Sequence, residues 1–396
     1  MKLDTKNKTV GQRKKVLLFS FSLLVLILAI GATVFFFLSF GLKGNSNKIP
    51  TSNLEIKENF TGKLYFNNEL GETIFSPLII EAVDGAQKSI ELAVYSMDDA
   101  KIREAFYRAA GRGVKVTLVF SDKRKSGHDR IFKNLPSNIK RLDVPSNDGY
   151  MHHKFLIIDR GTSRAKLFFG SYNFTYLQER YDPCFLLETT RPEIIAIFGQ
   201  EFDRLVAGLH GREKIISTGS PLMTRIQYLD GFLEIWFTPQ NGDGLKERMA
   251  TLIKNSQKNI KILIWNFTSN SLAQELVAVA RGKSVQIITD DVNFLLPQST
   301  FNFILDQKKS QGLEKLEIIT DTKRNQEAAR ISGDNTLNSF LHHHLLLIDS
   351  ETAVFGTNNW SENGFYYSDE SVMISNISSL VQPFTEAWQF NYEKNK

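Results

Sequence analysis

The sequence predicts an α/β protein made of two tandem copies of one unit, attached to a single N-terminal transmembrane helix. Three observations predict it: a long apolar run near the N-terminus, a strand–helix–strand pattern that occurs twice, and paired motifs at a fixed offset further along. The chain has 396 residues, 42% apolar and 23% charged, which is ordinary for a globular protein and sets disordered and fibrous classes aside.

Val16 to Phe40 is almost unbroken apolar sequence, long enough to cross a bilayer, and Lys2, Lys6, Lys8, Arg13, Lys14 and Lys15 precede it against one acid, Asp4. No small-residue cleavage pattern follows Phe40, so the segment reads as an uncleaved signal anchor. The expected topology is a single-pass membrane protein with residues 1–15 as a cytoplasmic tail, 16–40 as the membrane span and the body on the extracytoplasmic side, periplasmic or extracellular. The net charge of +5 belongs to this segment. Residues 1–44 hold seven of the 48 basic residues and one of the 43 acids, leaving the body with 41 basic and 42 acidic side chains. A nucleic-acid-binding surface over the whole body is therefore not indicated. Cys184 is the sole cysteine, so no intramolecular disulfide forms. Asn173-Phe-Thr and Asn359-Trp-Ser match the glycosylation pattern at positions placed below in the site, which favours a bacterial exterior over a eukaryotic lumen.

After a polar linker, 41–60, the repeat begins. Phe75-Ser-Pro77 and then Ser89 to Met97 lead into an amphipathic stretch from Asp98 through Ile102, Ala105, Phe106 and Ala109. Phe237-Thr-Pro239 and then Asn259 to Phe267 lead into Ser271 through Leu272, Leu276, Val279 and Ala280. Each reads as strand, polar cap and helix, and each continues into a further strand, Val114 to Phe120 and Val285 to Thr289, so the unit is βαβ in a partly parallel sheet. Gly170 with Gly356, Asn173 with Asn359, Phe198 with Phe384 and Phe202 with Trp388 recur at an offset of 186. The expected halves are 61–215 and 229–396, joined by a linker at 216–228, and a duplicated unit packs as a pseudo-dimer with equivalent residues facing each other.

The chemistry-bearing residues lie at that meeting point. His152 and Lys154 precede an apolar strand ending at Asp159, and Gly170-Ser171-Tyr-Asn173 follows. His342 and His344 precede a second such strand ending at Asp349, and Gly356-Thr357-Asn-Asn359 follows. On a strand i and i+2 share a face, so His152 pairs with Lys154 and His342 with His344, while Asp159 and Asp349 have the opposite parity and suit anchoring the strand. Such a set suits displacement at phosphorus without a metal: one imidazole attacks, the other protonates the leaving alkoxide, and Lys154, Ser171, Asn173, Thr357 and Asn359 hold the phosphate oxygens. The His342-His343-His344 run is a weaker match to a metal site, because alternating strand faces separate the three imidazoles.

A His-x-Lys-x4-Asp element followed by Gly-Ser/Thr-x-Asn, present twice, resembles the paired signature of the phospholipase D superfamily over roughly residues 61–396. The resemblance implies two α/β/α sandwich halves forming a pseudo-dimer, a phosphohistidine intermediate, no metal or other cofactor, and phosphodiester substrates ranging from phospholipids to nucleic acids. It implies catalytic roles within His152, Lys154, Asp159, His342, His344 and Asp349, and for Glu370, an acid eleven residues after the motif asparagine that orients the catalytic imidazole. Three departures stand out. His344 replaces a lysine, which predicts activity that rises under mild acid as the imidazole gains charge. Cys184 occupies the place of the acid in the first half, with Asp182 as the nearby substitute. Ten residues separate Asp159 from Gly170 against six between Asp349 and Gly356, a longer hairpin loop.

The expected function is a phospholipid phosphodiesterase acting on the membrane that holds it, hydrolysing phospholipids or transferring their phosphatidyl group, with no obligate protein partner evident. A nuclease is the alternative, for which Lys123-Arg-Lys125 and Lys323-Arg324 are the sequence support, and a binding protein without turnover is the third reading.

Overall fold

The computed structural model describes residues 51–216, 223–334 and 339–396. The expected tail and membrane span, 1–40, lie outside the described residues, and among the described residues no helix is long and apolar enough to cross a membrane. In chain order the strands are β1 (Thr51–Glu55), β2 (Lys63–Phe66), β3 (Ser89–Val94), β4 (Lys115–Ser121), β5 (Ile139–Val144), β6 (Lys154–Ile158), β7 (Lys166–Gly170) and β8 (Phe185–Thr189). They continue with β9 (Met223–Tyr228), β10 (Gly231–Thr238), β11 (Asn259–Ile264), β12 (Ser284–Thr289), β13 (Leu316–Thr320), β14 (Leu345–Ile348), β15 (Thr352–Gly356) and β16 (Glu370–Ser375).

Two mixed sheets result, in the orders β2-β8-β7-β6-β3-β4-β5 and β1-β9-β10-β16-β15-β14-β11-β12-β13. The predicted βαβ units are present: β3 pairs parallel with β4, and β11 with β12, each pair joined by a helix, Ala100–Gly111 or Asn270–Ala280. The first of these helices starts where Asp99 accepts the amides of Lys101 and Ile102, and it buries the predicted face of Ile102, Ala105, Phe106 and Ala109. Strands β6 and β14 are buried along their whole length, which explains their continuous rather than alternating apolar sequences.

Three apolar cores form. One lies between the first sheet and its outer helices and one in the equivalent place in the second half. The third joins Phe155, Phe169, Leu345 and Phe355 of the two sheets to Phe198, Phe202, Phe384 and Trp388 of the closing helices Pro192–Val206 and Ser378–Asn395. Of the four residue pairs at offset 186, the last two supply this shared core, the asparagines line the site, and the glycines pack closely against Phe185 and Ser371.

Three boundaries differ from expectation. Residues 51–55, placed in the linker 41–60, form β1, which pairs parallel with β9 at the edge of the second-half sheet. Residues 223–228, placed in the linker 216–228, form β9 itself, and 217–222 lie outside the described residues. Phe75 opens the helix Phe75–Asp84 whereas Phe237 lies near the end of β10, so the two Phe-x-Pro triplets are not structural equivalents.

Candidate active site

The strands β6 and β14 begin two and three residues after His152 and His342, and β7 and β15 end at Gly170 and Gly356. These glycines are required by close packing: a Cβ at Gly170 would lie 2.1 Å from the carbonyl oxygen of Phe185, and one at Gly356 2.2 Å from that of Ser371. The chain then turns inward and presents Asn173 and Asn359 to one cavity of about 730 Å³, which His152, His342 and Glu370 also line.

The two halves build this cavity by the same contacts. His152 N–H donates to the Asp369 carbonyl and His342 N–H to the Pro183 carbonyl, each at 2.9 Å. Each histidine also packs against a pair of aromatic rings. Tyr95 lies 5.0 Å from His152 and 5.9 Å from Tyr150, and Trp265 lies 5.2 Å from His342 and 5.6 Å from Phe340, centroid to centroid. Tyr150 and Phe340 belong to no sequence motif, and only the fold reveals their pairing with Tyr95 and Trp265.

The symmetry breaks at the imidazole nitrogens. His152 Nδ1 is 2.8 Å from Glu370 Oε2, a contact that crosses from one half to the other. Thr357 Oγ1 donates to the same oxygen at 2.6 Å and accepts the Ser371 amide, which fixes the carboxylate. In the other direction His342 Nδ1 has no partner among the described residues, because Cys184 stands where Glu370 has its counterpart. The expected substitute fails: Asp182 Oδ1 accepts the Phe340 amide at 2.8 Å and leaves His342 without a carboxylate. Burial holds both histidines well below the usual imidazole range, helped by the charge of Lys154, and pushes Glu370 up to about 8. The His152–Glu370 pair thus holds one proton between Nδ1 and Oε2 rather than existing as two separated charges.

Several predicted site residues stand behind this wall instead of in it. Lys154 is fully buried and donates to the His152 carbonyl at 2.8 Å, and burial lowers its ammonium to about 7. Ser171 and Thr357 are fully buried, and their hydroxyls turn back toward β8 and β16, where Ser171 Oγ accepts the Phe185 amide at 3.2 Å. They therefore position backbone and carboxylate and do not face a substrate phosphate. His344 has a positive φ of 45°, so strand alternation begins after it, yet its ring lies 5.5 Å from that of His342. Burial, with the neighbouring His342 and Lys154, keeps His344 well below 6.5. That direction argues against the expected gain of activity under mild acid, because burial opposes a charge on His344.

Asp159 and Asp349 lie at the far ends of β6 and β14, outside the cavity. Asp159 accepts the amides of Gln87, Lys88 and Ser89, and Asp349 those of Gln257, Lys258 and Asn259, which is the anchoring role their parity suggested and not a catalytic one. Of the basic loops, Arg124 lines the cavity, whereas Arg324 is buried against Asp321 and Asn391. The imidazoles of 342–344 do not converge: His343 stacks on Phe66, away from the other two. Among the described residues one cluster has metal-ligand geometry, His153, Glu201 and Asp369, but the Lys214 ammonium bridges Glu201 and Asp369 and already supplies the positive charge.

Comparison with known proteins now adds to this geometry. The model of the family described as cardiolipin synthase, PLD-like domain, matches residues 79–206 and 249–390, one segment in each half. The chain belongs to this family. It is 28% identical over 138 residues to a phospholipase D of Rickettsia prowazekii, a match covering 33% of this chain and 64% of that protein. It is also 28% identical over 134 residues to a mitochondrial cardiolipin hydrolase of Xenopus laevis, covering 34% of this chain and 61% of that one. The matched region thus spans less than two thirds of these relatives. The fold is that of the phosphatidylserine synthase of Haemophilus influenzae, with a TM-score of 0.59 at 15% identity over 84% of this chain and 86% of that one.

Proposed function

We propose that this protein is a membrane-anchored phospholipid phosphodiesterase that works through a phosphohistidine on His152. The observation that carries the reading is the 2.8 Å contact from His152 Nδ1 to Glu370, in a cavity shared with a His342 whose Nδ1 has no such partner. Glu370 keeps the His152 proton on Nδ1, so the Nε2 lone pair is available for attack. His342 is free to hold its single proton on Nε2 and deliver it.

In the first step Nε2 of His152 bonds to phosphorus, the phosphorus–oxygen bond to the head group breaks, and the His342 proton passes to the departing oxygen. In the second step His342 takes a proton from water or from an acceptor alcohol, whose oxygen bonds to phosphorus as the N–P bond breaks. Hydrolysis and phosphatidyl transfer share the intermediate and differ in that acceptor. Asn173 and Asn359 line the cavity, where among the described residues their buried Oδ1 atoms have no partner, and Lys154 adds positive charge from behind His152. The family membership and the phospholipid-directed relatives support this substrate class. The apolar run at 16–40 supports an anchor that holds the body beside its substrate on the extracytoplasmic side.

The full chain, reconstituted in mixed phospholipid vesicles, is expected to release phosphatidic acid or exchange head groups, with His152→Ala and His342→Ala both inactive. Glu370→Gln is expected to lower kcat by about 10²- to 10⁴-fold, the range for losing a positioned acid–base partner. Turnover of single-stranded or duplex DNA alone, run in parallel, would replace the lipid reading with the nuclease.

A further inference from the structure

The mouth of the cavity is built differently on its two sides, and the transfer chemistry makes no use of the difference. The loops that follow β4 and β12 are equivalents, each leaving the C-terminal end of a strand in a parallel pair. In the first half this loop is basic, Lys123-Arg-Lys125, with all three side chains exposed. In the second it is mostly apolar, Val292-Asn-Phe-Leu-Leu-Pro297, and Leu295 is 75% exposed. The short helix Tyr176–Arg180 adds exposed Tyr176 and Leu177, where its counterpart Glu362–Tyr366 begins with Glu362 and Asn363.

The two apolar segments share one wall. Asn325 donates to Asp291 Oδ1 at 2.7 Å and accepts the Ser339 amide at 2.8 Å, and the Ser339 hydroxyl donates to the Tyr181 carbonyl, one residue beyond the helix that bears Tyr176. Of the eight large apolar side chains exposed among the described residues, Tyr176, Leu177, Val292 and Leu295 are four. Apolar surface gathered at a cavity mouth and left open to water is unfavourable, and such a concentration marks a surface that something else covers.

Charge and chain direction identify the cover. Lys123 and Arg124 lie over the rings of Tyr150 and Tyr95, both at 5.9 Å, and neither forms an ion pair among the described residues. The nearby acids are engaged: Asp98 accepts the Tyr176 amide at 2.7 Å, and Glu362 pairs with Lys246 at 2.8 Å. A basic edge beside exposed apolar side chains matches an anionic bilayer surface, where cations meet phosphates and apolar groups reach the acyl boundary. Thr51 pairs with Met223, Met223 with Trp236, Trp236 with Val372 and Val372 with Gly356, so β1 starts in the row that holds the site glycine. The chain thus enters the body at the end of the sheet where the cavity opens. In the sequence ten residues, 41–50, separate Thr51 from the apolar run. Fully extended they reach about 35 Å, short of the roughly 50 Å across a compact body of this length, which favours the cavity end at the bilayer over the opposite end.

Resting on the membrane-anchored reading, we infer that the mouth of the cavity is a bilayer-docking surface: Tyr176, Leu177, Val292 and Leu295 insert into an anionic leaflet while Lys123 and Arg124 hold its phosphates. Lipid then passes from the leaflet into the cavity without crossing water, and the anchor sets orientation as well as proximity.

The sole cysteine, Cys184, is buried, so a cysteine introduced at the surface takes a fluorescent label selectively. Two labelled full chains, Leu295→Cys and Leu229→Cys, are reconstituted in vesicles of phosphatidylcholine and phosphatidylglycerol with brominated acyl chains. Leu229 is 71% exposed but lies in the turn from β9 to β10, at the opposite end of these strands from Thr51. The 295 label is expected to be quenched several-fold more than the 229 label, and less so when Lys123→Ala is added or phosphatidylglycerol is left out. Equal quenching of the two labels, or more at 229, would overturn the inference, and quenching indifferent to both charge changes would overturn the anionic leaflet. A 295 label shifted to shorter wavelength but not quenched means that protein covers the surface, which also overturns it. The readout needs no turnover: a quenched 295 label with no phospholipid cleaved keeps the docking surface and removes the phosphodiesterase reading. A chain that fails to float with the vesicles removes the anchor and the inference together.

Discussion

Lys154 is a buried ammonium with a carbonyl for its partner and no place in the cavity wall, so its contribution to the site is a charge that depends on pH. Its burial lowers the pKa to about 7, which means the charge is present below that value and lost as pH rises through it. With the neutral form unable to support phosphate, kcat/KM is expected to be about 10-fold lower at pH 8 than at pH 6, and Lys154→Arg, charged throughout, is expected to flatten that limb. A pH–rate profile of the two proteins decides it. Lys214 is the opposite case, a buried ammonium held by two carboxylates, Glu201 and Asp369, with His153 Nε2 also 3.0 Å from Glu201. Although burial works against ionisation, the Lys214 charge holds Glu201 well below the usual carboxylate range. Removing the cation leaves Asp369 buried without a countercharge and Glu201 with Arg204 alone, so Lys214→Met is expected to cost about 3–5 kcal/mol in denaturant unfolding. Asp369 directly precedes Glu370, so the same variant is expected to lower kcat more than it raises KM at temperatures where it stays folded.

At the scale of elements, each of the two central strands ends in an aspartate of positive φ, 51° at Asp159 and 58° at Asp349, whose carboxylate caps the amides that open the neighbouring strand. Asp349→Ala is expected to destabilise by about 1–3 kcal/mol, the scale of losing hydrogen bonds to a charged acceptor, with kcat below the melting temperature within a few-fold of wild type. Thermal melts beside a single-temperature rate assay separate this from a catalytic role. These strands and the βαβ units were legible in the sequence because alternation, helical spacing and capping are local. The paired histidines and asparagines were legible because they recur. Long-range geometry was not: Glu370 was recognised as the orienting acid, but nothing in its position showed that it serves the histidine of the other half. Ser171 and Thr357 were expected to hold phosphate oxygens, but the chain leaves the strand at the preceding glycine and their hydroxyls turn back toward β8 and β16. Lys214 and Tyr150 lay outside every motif, and no local pattern marks a residue whose partners are 13 and 218 positions away.

The molecule as a whole behaves as a dimer contained in one chain, and the containment is stronger than a linker. β1 precedes the first half in sequence but completes the second-half sheet, pairing with β9 from Thr51 to Glu55, so the first half reaches across at its own N-terminus. The shared core adds Phe198 and Phe202 from one side to Phe384 and Trp388 from the other. Phe185 packs against Phe355 and Phe384 at ring distances of 5.7 and 5.1 Å. Contacts of this kind resemble an obligate subunit interface, in which continuity of the chain is secondary to apolar burial. A protease site introduced within residues 217–222 should therefore give a nicked protein whose two pieces co-migrate on size exclusion without denaturant and retain most of the wild-type turnover. The catalytic pair supplies the more sensitive readout, because His152 comes from one piece and Glu370 from the other. Separation of the pieces, or co-migration with turnover reduced to the level of Glu370→Gln, would show that the covalent link, and not the interface, sets the distance across the site.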